Sequence, residues 1–321
     1  MMKKIALIYM GGTFGCTGEP LAPMPAKKFI PLLQHVLPIQ FNIECFVSPV
    51  IKDSSACTAE DWLKLVKYIQ ELQQKQYQHF VIIHGTDTLS YASAVLAHCL
   101  GNSASVVLTG SQYPLLSVNG NDTREFTDAI DNLNFALNSV SKCSSGVYLA
   151  FHHRLIYAQT ALKRHTTELD AFTGIDVNQA ISANTDVINI TESVITKVQC
   201  FNCLNIMWQP IAIDAQIQNL ELFIENPPHV LILQGFGTGN IAVNDKLIQV
   251  LKSIQAKNCA VIINSQVPFG SLDQRYAVSE WITHANFLVS NSFSHADLYA
   301  KALKMYLKYD SVEQWHDHWI D

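Results

Sequence analysis

Two threonines follow glycine directly at points where short apolar runs end. Thr13 closes a Met-Gly-Gly-Thr sequence, and Thr86 lies in a His-Gly-Thr-Asp-Thr sequence with Asp87 beside it. A threonine hydroxyl is a weak nucleophile until a base removes its proton, and the base itself needs an orienting partner. Thr13 is therefore a candidate nucleophile, and Asp87 is a candidate orienting group.

Lys163, in an Ala-Leu-Lys-Arg-His run, is a candidate base for such a threonine. A lysine serves as a base near neutral pH only where burial and a neighbouring hydroxyl favour its neutral amine. Free backbone N–H groups in the glycine turns would supply an oxyanion hole. A Gly-Thr pair after a strand usually does no more than cap a helix, so spacing alone leaves catalysis at Thr13 open.

Three other kinds of site fit these residues less well. The first glycine turn does not match G-x-G-x-x-G, and no acidic residue closes a second strand about 20 residues on, as a dinucleotide site requires. His84, His152 and His153 show no His-x-x-x-His spacing, so core or rim histidines fit better than metal ligands. Cys200 and Cys203 form a Cys-x-x-Cys without a second pair, which fits two small apolar side chains. No metal or cofactor is expected.

The elements that must position these residues follow from the apolar pattern. Continuous apolar runs at 5–10, 80–83 and 106–108 each lead into a Gly-Thr or Gly-Ser turn, which is typical of parallel strands buried on both faces. Helical patterns at 62–72 and 89–100 lie between them. The order β-α-β-α-β predicts a doubly wound, mostly parallel sheet with right-handed crossovers. Ligands bind outside the carboxyl ends of such strands, so the three turns should converge on one site.

The chain of 321 residues is long enough for two domains. The pattern is less regular between Ile188 and Pro228, and strand-helix alternation resumes at Val230. We therefore expect a large catalytic α/β domain over 1–190, a linker over 191–208, and a smaller α/β domain over 209–321.

Composition restricts the partners and the compartment. Apolar residues make up 49% of the chain and charged residues only 15%, which leaves more apolar surface than one monomer easily hides and predicts an oligomer. A net charge of -6 without a basic run argues against nucleic acid or membrane as partners. The N-terminal apolar run is too short for a signal peptide, and no run approaches the ~18 residues of a membrane helix. With eight scattered cysteines, these features predict a soluble, cytoplasmic protein.

Several motifs, taken together, are more specific for one protein family than any one of them is alone. They are Met10–Thr13, Asp53–Ser55, His84–Thr88, Thr109–Gln112, Lys163 and Gly237–Asn240. Their order and spacing, over nearly the whole chain, resemble those of the bacterial type I L-asparaginases of the asparaginase/glutaminase family. The His-Gly-Thr-Asp-Thr block is highly specific, the Gly-Gly-Thr turn is moderately so, and the C-terminal Gly-Asn is weak alone.

The resemblance implies a two-domain enzyme that hydrolyses L-asparagine to L-aspartate and ammonia through an acyl-threonine intermediate, without metal or cofactor. It implies that Thr13 is the first nucleophile. It also implies that Thr86, Asp87 and Lys163 form a second cluster, which relays protons and holds the substrate.

The same resemblance implies where the substrate is held. Asp53, Ser54 and Ser55 match the segment that binds the α-amino and α-carboxylate groups of the substrate. Asn240 lies in a motif of the smaller domain, with which a neighbouring subunit completes each pocket in this family. A homodimer or homotetramer is therefore expected.

The sequence departs from the family pattern at two places. Family members usually carry an activating tyrosine on the mobile loop after the nucleophile, yet no tyrosine lies between Tyr9 and Tyr68, and Leu21 or a near neighbour occupies that stretch. Three prolines in the same loop should make it a stiffer lid. The range 117–126 looks like an insertion. Two alternatives stay open: a weakly active or inactive member that binds an amino acid as a sensor, and an amidase that prefers glutamine.

Overall fold

The computed structural model describes residues 3–181, 185–270, 272 and 280–319. The chain forms two compact units, Met1–Thr196 and Lys197–Asp321. The strands of unit 1 are β1 (Lys4–Tyr9), β2 (Cys16–Thr17), β3 (Ala22–Pro23), β4 (Asn42–Val47), β5 (His79–Ile83), β6 (Ser105–Thr109), β7 (Gly146–Phe151), β8 (Arg154–Tyr157), β9 (Leu162–Lys163) and β10 (Phe172–Thr173). Its helices are α1 (Ala26–His35), α2 (Ala59–Gln74), α3 (Leu89–Leu100) and α4 (Ala129–Val140), and α5 (Glu192–Val198) spans the division between the units.

Unit 1 is built on a six-stranded sheet with the order β4-β1-β5-β6-β7-β8. All pairings are parallel except that of β7 with β8. The predicted doubly wound, mostly parallel sheet is therefore confirmed. Two short antiparallel pairs, β2 with β3 and β9 with β10, accompany the main sheet.

The central strands are buried because both of their faces are apolar. Every residue from Ile5 to Tyr9 of β1 is fully buried, and so is every residue from Phe80 to Ile83 of β5. Helix α2 begins after Thr58, whose N–H donates to the Asp61 carboxylate at 2.8 Å, as its sequence predicts. The rigid strands thus carry the polar turns at their carboxyl ends.

Unit 2 contains a four-stranded parallel sheet with the order β11-β12-β13-β14. The strands are β11 (Cys203–Met207), β12 (Val230–Gly235), β13 (Ala260–Ser265) and β14 (Leu288–Val289). The helices are α6 (Ile213–Glu221), α7 (Asp245–Gln255), α8 (Glu280–Ala285), α9 (His295–Lys308) and α10 (Val312–His318). Apolar clusters pack against the sheet, one of them through α6 and α7 and another through α9 and α10. The predicted second α/β unit is confirmed.

Helix α5 and strand β11 lie around the point where the chain divides into its two units. The range 191–208, expected to be a linker, contains α5 and β11, and the division falls after Thr196. Strand β11 is an edge strand whose five residues are only partly buried or exposed, so it lacks the continuous apolar run that marks the central strands.

All eight cysteines are free thiols. Over the described residues, no helix combines the length and the apolar character that a membrane span requires.

Candidate active site

The three polar segments of unit 1 meet at glycines that have no room for a side chain. A Cβ atom on Gly12, whose φ is +87°, would lie 2.6 Å from the backbone nitrogen of Gly85. A Cβ atom on Gly85 would in turn lie 2.7 Å from the Cβ of Ser54. The turns after β1 and β5 are therefore packed backbone to backbone, and the Ser54 side chain of the segment after β4 packs against Gly85, as expected for the carboxyl edge of a parallel sheet.

Thr86, Asp87 and Lys163 form a hydrogen-bonded cluster. The Lys163 Nζ donates to Thr86 Oγ1 at 2.9 Å and to Asp87 Oδ1 at 3.2 Å. The backbone N–H of Lys163 donates to Ser90 Oγ at 3.1 Å, which joins β9 to the first turn of α3. The lysine side chain is 21% exposed and the Asp87 side chain 60% exposed, so the cluster opens to solvent on the aspartate side.

Thr13 begins a 3₁₀ turn, Thr13–Gly15, directly after Gly12. Its hydroxyl is half-buried and makes no hydrogen bond to any residue that the structure describes. The backbone N–H groups of Thr13 and Thr86 likewise have no acceptor among residues 3–181, 185–270 and 280–319. Because Gly12 touches Gly85, two hydroxyls and two free N–H groups lie on neighbouring turns, the arrangement that a nucleophile and an oxyanion hole require.

Asp53, Ser54 and Ser55 form a tight turn beside the two glycine turns. The Asp53 carboxylate accepts hydrogen bonds from the Ser55 hydroxyl at 2.6 Å and from its N–H at 2.8 Å. These bonds lower the pKa of Asp53, the hydroxyl more than the N–H. The carbonyl of Ser54 accepts from the Thr88 hydroxyl at 2.7 Å, which ties this segment to the start of α3. An ionised carboxylate and a serine hydroxyl thus lie within one turn.

The loop after Thr13 folds back as the β2–β3 hairpin, which we call the flap (residues 16–24). Leu21 lies in the hairpin turn and is 50% exposed. The segment 117–126 holds the flap: Gly18 N–H donates to Val118 O at 3.0 Å, and a Cβ on Gly120 would lie 2.8 Å from the Met24 methyl group. The expected insertion is therefore in contact with the flap.

A family model described as "Asparaginase, N-terminal" matches residues 4–196. The chain belongs to the asparaginase family. The predicted resemblance to the bacterial type I L-asparaginases is confirmed. Membership supports hydrolysis of an amide in asparagine-like substrates.

Relatives of this asparaginase-family chain cover much of its length. L-asparaginase 1 of Escherichia coli (strain K12) is 25% identical over 302 residues, which cover 89% of this chain and 86% of that protein. One component of the glutamyl-tRNA(Gln) amidotransferase of Nanoarchaeum equitans is 29% identical over 182 residues, 54% of this chain and 44% of that protein.

Two solved structures share the fold. The thermostable L-asparaginase of Thermococcus kodakarensis matches with a TM-score of 0.79 at 22% identity, over 98% of this chain and 96% of that one. L-asparaginase I of Vibrio cholerae O1 biovar eltor matches with a TM-score of 0.78 at 21% identity, over 99% and 97%. At these identities the likeness concerns the fold alone.

Asn240 is the predicted site residue that lies outside unit 1 in the chain. It lies in unit 2 and ends the turn after β12, where its Nδ2 donates to Thr238 Oγ1 at 3.2 Å. Unit 1 thus brings together seven of the eight predicted site residues, Thr13, Thr86, Asp87, Lys163, Asp53, Ser54 and Ser55, on neighbouring segments.

Sequence reasoning did not single out Gln112 and Asp128 as site residues. Thr86 Oγ1 lies 3.5 Å from Gln112 Oε1, and the Gln112 amide donates to the carbonyls of Thr166 and Glu168. The buried Asp128 carboxylate accepts the N–H of Gln112 at 2.9 Å and that of Tyr113 at 2.9 Å. Asp128 lies just before α4, and no sequence motif connected it with Gln112.

His84 is buried, and hydrogen bonds reach both of its ring nitrogens. Trp62 Nε1 donates to His84 Nε2 at 3.2 Å, and His84 Nδ1 lies 2.7 Å from Gly85 O. Burial lowers the pKa of His84, which keeps the ring neutral. Within the described part of the chain, no group of three His, Cys, Asp or Glu residues is placed to hold a metal ion.

Proposed function

We propose that the protein hydrolyses L-asparagine to L-aspartate and ammonia, with Thr13 as nucleophile. The observation that carries this proposal is the Lys163–Thr86 hydrogen bond of 2.9 Å on a turn that touches the turn of Thr13. A basic amine, two hydroxyls and free N–H groups meet there without an intervening side chain.

The reaction proceeds in two steps. The Thr13 hydroxyl oxygen attacks the side-chain amide carbon of asparagine, and its proton passes through Thr86 and Lys163 to the amide nitrogen, which leaves as ammonia. The N–H groups of Thr13 and Thr86 stabilise the oxyanion. Water then attacks the acyl-threonine ester, returns a proton to Thr13, and releases L-aspartate.

The substrate backbone binds beside this centre. The ionised Asp53 carboxylate attracts the α-ammonium group, and the Ser54 and Ser55 hydroxyls, with the local N–H groups, hold the α-carboxylate. Asp87 stays beside Lys163 at 3.2 Å and orients its amine toward Thr86.

We further propose a homodimer or homotetramer in which Asn240 of a second copy completes each pocket. The strand ends and the segments that follow them at the carboxyl edge of the sheet in unit 2 expose large apolar side chains; they are Met207, Phe236, Val267, Phe269 and Phe293. Apolar side chains grouped at one edge are typical of an interface. The free thiols support a reducing compartment, and we propose the cytoplasm.

A coupled ammonia assay with the purified protein tests the activity. Wild-type protein should release ammonia from L-asparagine, whereas Thr13→Ala and Lys163→Met should lose at least ~10³-fold in kcat because each removes a group of the reacting centre. Lys142→Met, at an exposed lysine after α4, is the matched control. Ammonia release that survives Thr13→Ala would show that this mechanism is wrong.

Two alternative functions have support of their own. The resemblance to a component of a glutamyl-tRNA(Gln) amidotransferase supports glutamine as the amide substrate. Comparing kcat/KM for asparagine and glutamine decides this point, since one methylene is worth only ~1 to 3 kcal/mol in a simple pocket. The flap without tyrosine supports an amino-acid sensor, for which aspartate or asparagine would raise Tm while turnover stays negligible.

A further inference from the structure

Trp62, His84 and Gly85 form a buried chain of hydrogen bonds behind the candidate active site. Trp62 is 3% exposed and His84 is 1% exposed. Because Trp62 Nε1 is only a donor, the His84 Nε2 that it contacts must carry a lone pair. The neutral ring then has its proton on Nδ1, which donates to Gly85 O at 2.7 Å.

This chain fixes the direction of one peptide bond. In a planar trans peptide the C=O and the following N–H point in opposite directions. With Gly85 O held on the buried imidazole, the N–H of Thr86 must point away from it. That N–H is one of the groups without an acceptor among the described residues.

Gly85 needs such an external support because nothing in its own structure fixes this peptide. Glycine has no side chain that restricts its rotation, yet its neighbours Gly12 and Ser54 leave no room for a Cβ atom. The hydrogen bond from His84 Nδ1 to Gly85 O holds the Gly85–Thr86 peptide from its buried side. The opposite side of the peptide, which carries the Thr86 N–H, stays open to a ligand.

We propose that Trp62 and His84 are positioning residues that hold the Gly85–Thr86 peptide with the Thr86 N–H directed toward the reacting carbonyl. Trp62 selects the tautomer of His84, and His84 holds the carbonyl of Gly85. Neither residue touches the substrate. The inference deepens the proposed amide hydrolysis and rests on it for its effect on the rate, but not for the tautomer.

Three substitutions separate positioning from simple packing. His84→Leu removes the donor to Gly85 O, and kcat should fall about 10- to 100-fold with KM changed less than about threefold, a partial loss of an oxyanion donor. His84→Asn keeps a donor near the position of Nδ1 and should recover most of kcat. Trp62→Phe should also lower kcat, whereas Trp315→Phe, at an equally buried tryptophan of α10, should not.

Nitrogen-15 NMR of histidine-labelled protein tests the tautomer without any turnover. In the wild type at pH 7 to 8, His84 should show a protonated Nδ1 and an unprotonated Nε2, and Trp62→Phe should change the Nε2 signal. A protonated Nε2, or an equal loss of kcat in His84→Asn and His84→Leu, overturns the inference. Wild-type protein that hydrolyses no amide yet shows the predicted tautomer contradicts the proposed function and leaves the tautomer assignment supported.

Discussion

Asp53 illustrates how a single side chain is prepared for a charged ligand. Its carboxylate is exposed, but the Ser55 hydroxyl and N–H hold it from within its own turn at 2.6 and 2.8 Å. These donors favour the ionised form, so the carboxylate needs no cation of the protein to remain charged. The motif Asp-Ser-Ser indicated a substrate segment only by resemblance, because hydrogen bonds within a turn leave no periodic signal in the sequence.

Replacing Ser55 with alanine should shift the acid side of the pH profile. The folded-state pKa of Asp53 lies below its ordinary value of 3.8, so its charge is kept above that value and is lost as the pH falls through the folded pKa. Ser55→Ala removes the strongest donor, which raises this pKa. The acid limb of kcat/KM should therefore move to higher pH, as measured by initial rates from pH 3 to 7.

Ser253→Ala, at an exposed serine on α7 of unit 2, is the control and should leave the profile unchanged. Coincident acid limbs for wild type and Ser55→Ala would mean that Asp53 does not hold the substrate.

The flap and the segment 117–126 are best understood as one structural element. Gly18 N–H donates to Val118 O at 3.0 Å, and just before the two elements Leu115 N–H donates to Phe14 O at 3.0 Å, so the two stretches of chain run side by side. The sequence indicated a stiff loop and an insertion separately. It gave no reason to join them, since the contacts are made by backbone atoms that every residue type carries.

Shortening the segment should loosen the flap. Replacing residues 118–121 with two glycines shortens the segment, so it displaces the carbonyl that accepts the Gly18 N–H and removes the contact of Gly120 with Met24. Hydrogen exchange of residues 16–24 should then accelerate roughly tenfold or more, because local opening no longer breaks these contacts. Exchange in α4, measured in the same mass-spectrometry experiment, should stay unchanged.

A Gly-Ser replacement of residues 118–121 at the original length supplies the matched control, since it keeps a backbone carbonyl at 118. Equal exchange of the flap in the wild type and in the shortened variant would disprove the anchoring role.

At the scale of the whole molecule, the two units were predicted with unequal success. The central strands β1, β5 and β6 of unit 1 and β12 of unit 2 were foreseen, because strands buried on both faces leave continuous apolar runs. The partly exposed β11 was not, because it lacks such a run. Most residues of the candidate site were predicted from motifs. The roles of Asp128 and of the Trp62–His84 pair were not, because contacts between residues that are distant in the chain produce no characteristic spacing in the sequence.

Oligomer formation should depend on the apolar carboxyl edge of the second sheet. Phe236→Asp places a charge where we propose that a second copy packs, and desolvating that charge is costly. The mass from light scattering should therefore fall toward that of the 35.8 kDa monomer.

Leu222→Asp is the matched control, because Leu222 is 76% exposed but follows α6, at the opposite edge of the same sheet. A Phe236→Asp variant that keeps the wild-type mass would exclude this edge as the interface.

The backbone contact between Gly12 and Gly85 also has a consequence for how the protein is made. The two glycines follow β1 and β5, which are separated in the chain by β2, β3, α1, β4 and α2, and they meet only when the centre of the sheet has assembled. While the ribosome is still adding the residues between them, Thr13 has no partner turn. Under the proposed mechanism, a partly synthesised chain therefore does not hydrolyse asparagine. The activity arises late in folding, when the two turns have met.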